Sequence, residues 1–385
     1  MELEQLKVAV VHDFLYCYGG AERVLEQILR VIPHADLFSL FDFLPKNARS
    51  FIQDRPAQTS FLQKLPFAKT KHRLFLPVMP MAIERLDVSD YDLVISSSYL
   101  VAKGVRTHDK QLHICYCHTP ARFAWGDPQP YLELLGLDKS IFTPVIRCIL
   151  NRIRKWDMKS ADNVDVYITN SQFVAERVKE VYQRESTVIY PPVDVERFTL
   201  CEQKDDFYLT VSRQVIQKRI DLIVKAFVRM PDKKLVVIGQ GPELKRMQAL
   251  AQGHENISIL GYQPFEVVRT KMQQARAFVF ASEEDFGIVP AEAQACGTPV
   301  IAYGKGGATE SVAEGETGIF FNEQTTESVI EAVNTFERSM ERWNPKDIRA
   351  SVDRFAVDRF RDEFLQFVQD QWSQFQANTE SANAA

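Results

Sequence analysis

Ala281-Ser-Glu-Glu-Asp-Phe-Gly-Ile-Val-Pro-Ala-Glu-Ala-Gln-Ala-Cys-Gly-Thr-Pro-Val300 is the stretch whose reading decides the fold. The apolar run Arg276–Ala281 before it reads as a buried strand, and the polar turn that follows contains Gly287. Pro290 suits a first helical turn, where its missing N–H has no partner to lose. Gly297 and Pro299 stop the short helix, and the chain resumes as a strand over Val300–Tyr303. The unit is strand, loop, helix over 290–296, strand. Glu284 falls in the loop and Glu292 in the first helical turn, eight positions apart. Helical side chains lean back toward the N-terminus, so both carboxylates are expected at one crevice mouth. Ligands of open α/β sheets bind there, beyond the carboxyl ends of the strands. Two acidic residues near a helix start also serve simply to complement its dipole.

Working outward, the second half alternates regularly. Strands are expected at 207–212, 234–239, 257–260, 276–281 and 300–303. Helices are expected at 220–230, 243–251, 265–274, 290–296 and 308–313. That alternation implies a parallel, doubly wound sheet. In the first half, Lys7–Phe14 reads as a buried strand. It breaks at Gly19-Gly20 and leads into a helix with Val24, Leu25, Ile28, Val31 and Ile32 on one face. The Gly pair serves either a tight turn or a close backbone approach to a ligand. Further strands are expected at 35–41, 91–96, 111–117 and 163–169, with a helix over 141–159 whose basic face is solvated. His118 follows the third of these strands at its carboxyl end, and His12 and Asp13 close the first strand as additional candidates. Residues 62–81 mix Lys64, Lys69, Lys71 and Arg73 with Phe67, Leu74, Phe75, Leu76, Val78 and Met79. Such a segment is either a solvated loop followed by a buried helix or a surface that lies on an anionic membrane.

Ser212-Arg213-Gln-Val-Ile-Gln-Lys218 lies between a strand and a helix. Arg grips diphosphate oxygens in two-pronged fashion and Lys adds a compact charge. With 385 residues, two domains are the natural expectation. A net charge of −5 and an isoelectric point near 5.9 argue against nucleic acid as the partner. The six cysteines have no metal-ligand spacing, and five lie in or beside apolar segments, where buried, reduced thiols are expected. With no secretory signal and no run long enough to span a bilayer, a cytoplasmic protein is expected, peripheral at most on the membrane's cytoplasmic face.

Glu284-Asp285-Phe286-Gly287 with Glu292 and Ala295-Cys-Gly-Thr-Pro-Val300 resembles the Glu-x7-Glu signature of retaining nucleotide-sugar glycosyltransferases of the GT-B fold, family 4. The Asp285 variant is similar to a branch with mannosyltransferases of cell-surface polysaccharide assembly. Gly19-Gly20-Ala21-Glu22-Arg23-Val24 matches the family's glycine loop. The Arg213-x4-Lys218 segment matches its diphosphate motif with Ser212 for the usual Gly, and Gly304-Lys-Gly-Gly-Ala-Thr-Glu310 matches a Gly-Gly-x-x-Glu loop that departs at Lys305. The resemblance covers nearly the whole chain, and most strongly 207–320.

The resemblance implies two Rossmann-like doubly wound domains. Residues 1–190 would bind acceptor, 191–354 would bind the nucleotide sugar, 355–375 would return as a helix to the first domain, and 376–385 would be a disordered tail. It implies catalytic roles for His118, Glu284, Arg213 and Lys218. The donor would contact Gly19, Gly20, Arg213, Lys218, Gly261, Tyr262, Glu284, Asp285, Phe286, Gly287, Ile288, Val289 and Glu292, with Glu292 on the ribose and Glu284 on the hexose. His118, Arg122 and Trp125 would face the acceptor. No cofactor or metal is implied. The donor would be a nucleotide sugar, with GDP-mannose foremost and UDP- or dTDP-sugars as alternatives. The acceptor would be a glycan or a lipid-linked sugar. A nucleotide-sugar epimerase of the same fold and a non-catalytic sugar-nucleotide scaffold are the readings from other classes. A dinucleotide oxidoreductase is disfavoured by the lack of its glycine fingerprint.

Overall fold

A computed structural model describes residues 3–125 and 143–384. They divide into two compact units, Met1–Pro191 with Phe360–Ala385, and Pro192–Arg359.

The first unit is built on seven strands: β1 (Val8–Leu15), β2 (Asp36–Asp42), β3 (Gln58–Thr59), β4 (Leu93–Ser98), β5 (Leu112–Cys117), β6 (Val166–Thr169) and β7 (Thr187–Val188). All pair in parallel, in the order β3-β2-β1-β4-β5-β6-β7. β4 and β5 are buried along their whole length, as strands covered on both faces must be. One layer of core joins Val8, Val10, Ile95 and Ile114 to the Gly20–Val31 helix through Val24, Leu25 and Ile28. The other places Ala9, Val11 and Val94 against Leu62, Leu76, Met79 and Ile83. The mixed 62–81 segment therefore divides: Leu76 and Met79 are core, whereas Phe61, Leu65, Phe67 and Leu74 are exposed.

The second unit has six parallel strands: β8 (Tyr208–Val211), β9 (Leu235–Ile238), β10 (Ile257–Gly261), β11 (Ala277–Phe280), β12 (Val300–Tyr303) and β13 (Gly318–Phe321). Their order is β10-β9-β8-β11-β12-β13. In each sheet the winding reverses once, between β1 and β4 in the first unit and between β8 and β11 in the second. A reversal separates the crossover connections on either side and leaves a crevice at the strand ends.

Several expectations need correction. The short helix runs Ile288–Ala295, so Glu292 is its fifth residue and lies in the second turn, not the first. The helix can start earlier because Gly287, at φ 87°, turns the chain into it from the left-handed region. The expected disordered tail is helical: the last helix spans Val357–Ala384. Only Cys115, Cys117 and Cys296 are buried, while Cys17 and Cys148 are exposed. The helix expected over 141–159 runs Thr143–Ala161, and residues 141 and 142 fall outside the described part of the chain. β13 and the Thr326–Arg338 helix were not expected at all.

Candidate active site

At the switch point of the second sheet, the loops after β8 and β11 meet. Lys218 Nζ pairs with Glu284 Oε1, and the buried Ser282 hydroxyl donates to the same oxygen at 2.8 Å. Both charged side chains keep 23% of their surface exposed, so the pair sits at the sheet's edge and not in its core. Arg213, five residues before Lys218, is exposed. The loop that carries these cations is pinned from β9. A Cβ on Gly239 would stand 1.8 Å from Ser212 O, and one on Gly241 2.2 Å from Gln214 O, so only glycine permits that backbone contact. Gln214 N donates to Gln240 O at 3.0 Å, and the Gln214 side-chain amide donates to Gly239 O at 3.1 Å.

The loop after β12 closes on the same place. Gly307 N donates to Glu284 O at 2.7 Å, and a Cβ on Gly307 would lie 2.3 Å from Asp285 O. Phe286 is buried edge-on against Phe355, with 5.0 Å between ring centres, which fixes the far side of the Glu284 loop. Glu292 is buried on the helix that follows. Tyr262, after the left-handed Gly261 (φ 67°) at the end of β10, is 72% exposed. Two cations, two carboxylates and an exposed aromatic ring thus stand on loops and a helix that follow three strands of this sheet, β8, β10 and β11. Carboxylates accept from neutral hydroxyls, and cations hold anionic oxygens. That is the donor and acceptor inventory a sugar nucleotide requires.

The first unit gathers a second set at its own switch point. His12 on β1 lies opposite Ser97 on β4, with Nδ1 3.1 Å from Ser97 Oγ. Ser97 Oγ is also 2.9 Å from Nε2 of His118, the first residue after β5. On the other side, His12 Nε2 is 3.4 Å from Glu22 Oε1, and Glu22 Oε2 accepts from Gly19 N at 2.9 Å. The Gly19 N–H is thereby committed to the cap of the Gly20–Val31 helix. Burial, with His12 nearby, drives the His118 pKa down to about 3, so the imidazole is neutral near pH 7. Asp13 is committed elsewhere: its carboxylate accepts the N–H groups of Tyr99, Leu100, Val101 and Ala102 at 2.6–3.0 Å.

Of the residues expected at the acceptor, Arg122 is exposed at the start of a short helical turn, Arg122–Trp125. Trp125 instead turns its polar edge inward. Its Nε1 donates to Asp157 Oδ2 at 2.6 Å, and the Arg154 guanidinium lies 5.3 Å over its ring. Ser97, Ser282 and Gln214 were not singled out from the sequence. Ser282 lay inside the deciding stretch, and a hydroxyl two residues before a key carboxylate was the available signal.

Two family profiles match the chain, "Glycosyltransferase Family 4" over residues 18–197 and "Glycosyl transferases group 1" over 193–346. The chain belongs to the group 1, family 4 glycosyltransferases, and its two parallel-sheet units are those of the GT-B fold. It is 27% identical over 200 residues to the D-inositol 3-phosphate glycosyltransferase of Mycobacteroides abscessus, covering 46% of this chain and 45% of the relative. It is also 27% identical over 219 residues to the GDP-mannose-dependent alpha-(1-6)-phosphatidylinositol monomannoside mannosyltransferase of Mycolicibacterium smegmatis, covering 49% and 56%. The matches thus span about half the length of these curated relatives. Among solved structures, Anabaena HepE in complex with UDP superposes with a TM-score of 0.69 at 18% identity, covering 95% of this chain and all of the other.

Proposed function

We propose that this protein is a retaining, metal-independent hexosyltransferase that moves mannose from GDP-mannose onto a glycan or lipid-linked acceptor in cell-surface polysaccharide or glycolipid synthesis. The observation that carries the proposal is the meeting of Lys218 with Glu284 at the switch point between β8 and β11, with Arg213 on the same loop as Lys218. Arg213 and Lys218 hold the diphosphate and offset the charge that grows on it as the anomeric C–O bond breaks. Glu284 accepts from hexose hydroxyls, and Glu292 accepts from the ribose. The acceptor oxygen bonds to the anomeric carbon on the face the diphosphate leaves, and its proton passes to the departing phosphate oxygen. Neutral His118 contributes hydrogen bonding to the sugar, not charge. GDP-mannose is favoured among donors by the dependence stated for the Mycolicibacterium relative.

A lipid-linked acceptor calls for a membrane surface, and residues 61–74 offer one. Phe61, Leu65, Phe67 and Leu74 are exposed between the equally exposed Lys64, Lys69, Lys71 and Arg73. Apolar side chains flanked by cations suit an anionic bilayer. No helix among the described residues is long and apolar enough to cross a membrane. The reading is therefore of a peripheral protein on the cytoplasmic face. It predicts flotation with phosphatidylglycerol vesicles but not with phosphatidylcholine vesicles, lost in a Phe67→Ser, Leu74→Ser variant.

The deciding experiment is thermal-shift fluorimetry with GDP-, UDP- and dTDP-sugars on the wild type, Glu292→Ala and Arg213→Ala. A shift with GDP-mannose that both variants lose supports the proposal, and a shift only with UDP- or dTDP-sugars replaces the donor. No shift with any of them leaves a scaffold without a donor site. Turnover of the GDP-sugar should survive excess EDTA, and its loss would overturn metal independence.

A further inference from the structure

Four polar side chains of the first unit form one continuous chain beneath the strand ends: Glu22, His12, Ser97 and His118. It connects the glycine turn to the histidine that follows β5, crossing β1 and β4 on the way. His12 and Ser97 are fully buried, and Glu22 and His118 are 8% and 7% exposed. A buried polar chain is costly unless every member is satisfied, so its direction of donation is constrained from its ends.

Glu22 sets that direction. A carboxylate only accepts, and Glu22 already accepts the Gly19 N–H. At the other oxygen, His12 Nε2 must therefore be the donor. An imidazole with one proton, donated from Nε2, presents Nδ1 as an acceptor, which the Ser97 hydroxyl fills with its single proton. Ser97 Oγ, its proton spent, can only accept from His118, so Nε2 of His118 carries the ring proton. Nδ1 of His118 is left as the lone-pair nitrogen, outside the chain.

We infer that Glu22, His12 and Ser97 are positioning residues that hold His118 as the Nε2–H tautomer, so that its Nδ1 accepts a hydrogen bond from a hydroxyl of the bound sugar. The inference rests on the proposed transferase reading in assigning a sugar hydroxyl as the partner. The tautomer itself does not depend on that reading. The arrangement selects for a hydroxyl and against a bare anion, because a neutral acceptor nitrogen repels negatively charged oxygen. It also accounts for Glu22 in the glycine turn, where a residue serving only as a cap need not touch His12. Tyr99 and Tyr116 flank the His118 ring, at centroid distances of 6.3 and 5.1 Å, and limit its rotation away from Ser97.

The test is a long-range 1H–15N correlation of the full chain labelled with 15N-histidine, at pH 7, with His118 assigned by loss of its signals in His118→Gln. The expected result is a pyrrole-type Nε2 and a pyridine-type Nδ1 in the wild type and in Ser97→Thr, with tautomer exchange in Ser97→Ala. The opposite tautomer in the wild type, or an unchanged His118 in Ser97→Ala, overturns the inference. A second readout separates it from the functional reading. Release of GDP from GDP-mannose should fall about tenfold in Ser97→Ala, the loss of one hydrogen bond's discrimination, and recover in Ser97→Thr. Affinity for GDP alone should stay unchanged in both. Equal turnover in all three proteins overturns the positioning role. Failure of the wild type to bind GDP would sink the transferase reading and leave the spectral result to decide the tautomer.

Discussion

A diphosphate that reaches Lys218 meets Glu284 already at its side, with Ser282 holding the same carboxylate oxygen. The cation's charge is therefore shared between an internal anion and any anion that arrives. On the proposed function, Glu284 has two opposing effects in this geometry: it weakens the grip on a bare nucleotide and provides the acceptor for the sugar. Replacing it by Gln separates the two. Glu284→Gln should bind GDP about 3- to 10-fold more tightly in calorimetry, because a partly exposed ion pair is worth roughly 1 kcal/mol. Turnover of GDP-mannose should fall about 100-fold or more, the scale of a lost electrostatic contact in a transition state. Unchanged GDP affinity would mean that Lys218 is not the diphosphate's partner. Lys218 and Glu284 stood out in the sequence as motif positions, but their contact did not. They are 66 residues apart, and only the adjacency of β8 and β11 brings them together. The same holds for His12, Ser97 and His118, which lie on or after three neighbouring strands of the first sheet and show no pattern along the chain.

Elements were legible where period and punctuation agreed, and illegible where they did not. β12 was found at its observed bounds because Pro299 and Gly304 frame four apolar residues. β13 was missed because Gly318-Ile-Phe-Phe321 follows a turn with no proline to mark its start. Arg122–Trp125 was read as a ligand-facing turn, yet its Trp is tied to Asp157, a fully buried carboxylate that also accepts from Tyr182 OH at 2.9 Å and pairs with Lys103 Nζ at 2.7 Å. Nothing in local sequence announces that a lysine is buried, because its partner lies on another helix. Lys103→Met would leave the Asp157 charge inside without its cation and should cost about 3–5 kcal/mol in urea unfolding. A loss under 1 kcal/mol would show that the pair is dispensable. β5 carries a pH-sensitive element of its own. The His113 ring lies between Ser96 Oγ and Asn163 O, both at 2.8 Å, and burial lowers its pKa from 6.5 to about 4. The unfolded chain then binds more protons than the folded one between pH 6.5 and about 4. Its stabilising contribution is present in full above the unfolded pKa and is lost as pH falls through that window. Stability should drop by up to about 3 kcal/mol from this residue between pH 6.5 and 4.5, at 1.36 kcal/mol per unit. His113→Gln should show a shallower acid slope in urea midpoints, and an identical slope would assign the acid sensitivity elsewhere.

At the scale of the whole molecule, the chain leaves its first unit at Pro191 and rejoins it at Phe360. The return is written in the sequence as Phe360, Phe364, Val368 and Trp372, one apolar residue every fourth position on one helix face. All four are buried in the core that contains Val10, Ile114 and Tyr116, with Phe360 stacked on Phe364 at 5.6 Å and edge-on to Tyr116 at 6.0 Å. The helix is therefore part of the first unit's fold and not an appendage; its buried stripe ends at Trp372, while the helix runs on to Ala384. Phe364→Ala should remove about 3–5 kcal/mol from that unit. For a unit near 200 residues this lowers its calorimetric transition by roughly 6–20 °C. The Lys218, Glu284 and Glu292 side chains all belong to 192–359, and Phe364's core belongs to the first unit. GDP affinity, measured at a temperature where the variant is folded, should therefore stay within about twofold of the wild type, since substitutions that share no partners act additively. A parallel fall in GDP affinity would instead place part of the nucleotide's binding energy on the first unit, and would make its glycine turn at Gly19-Gly20 the first segment to mutate.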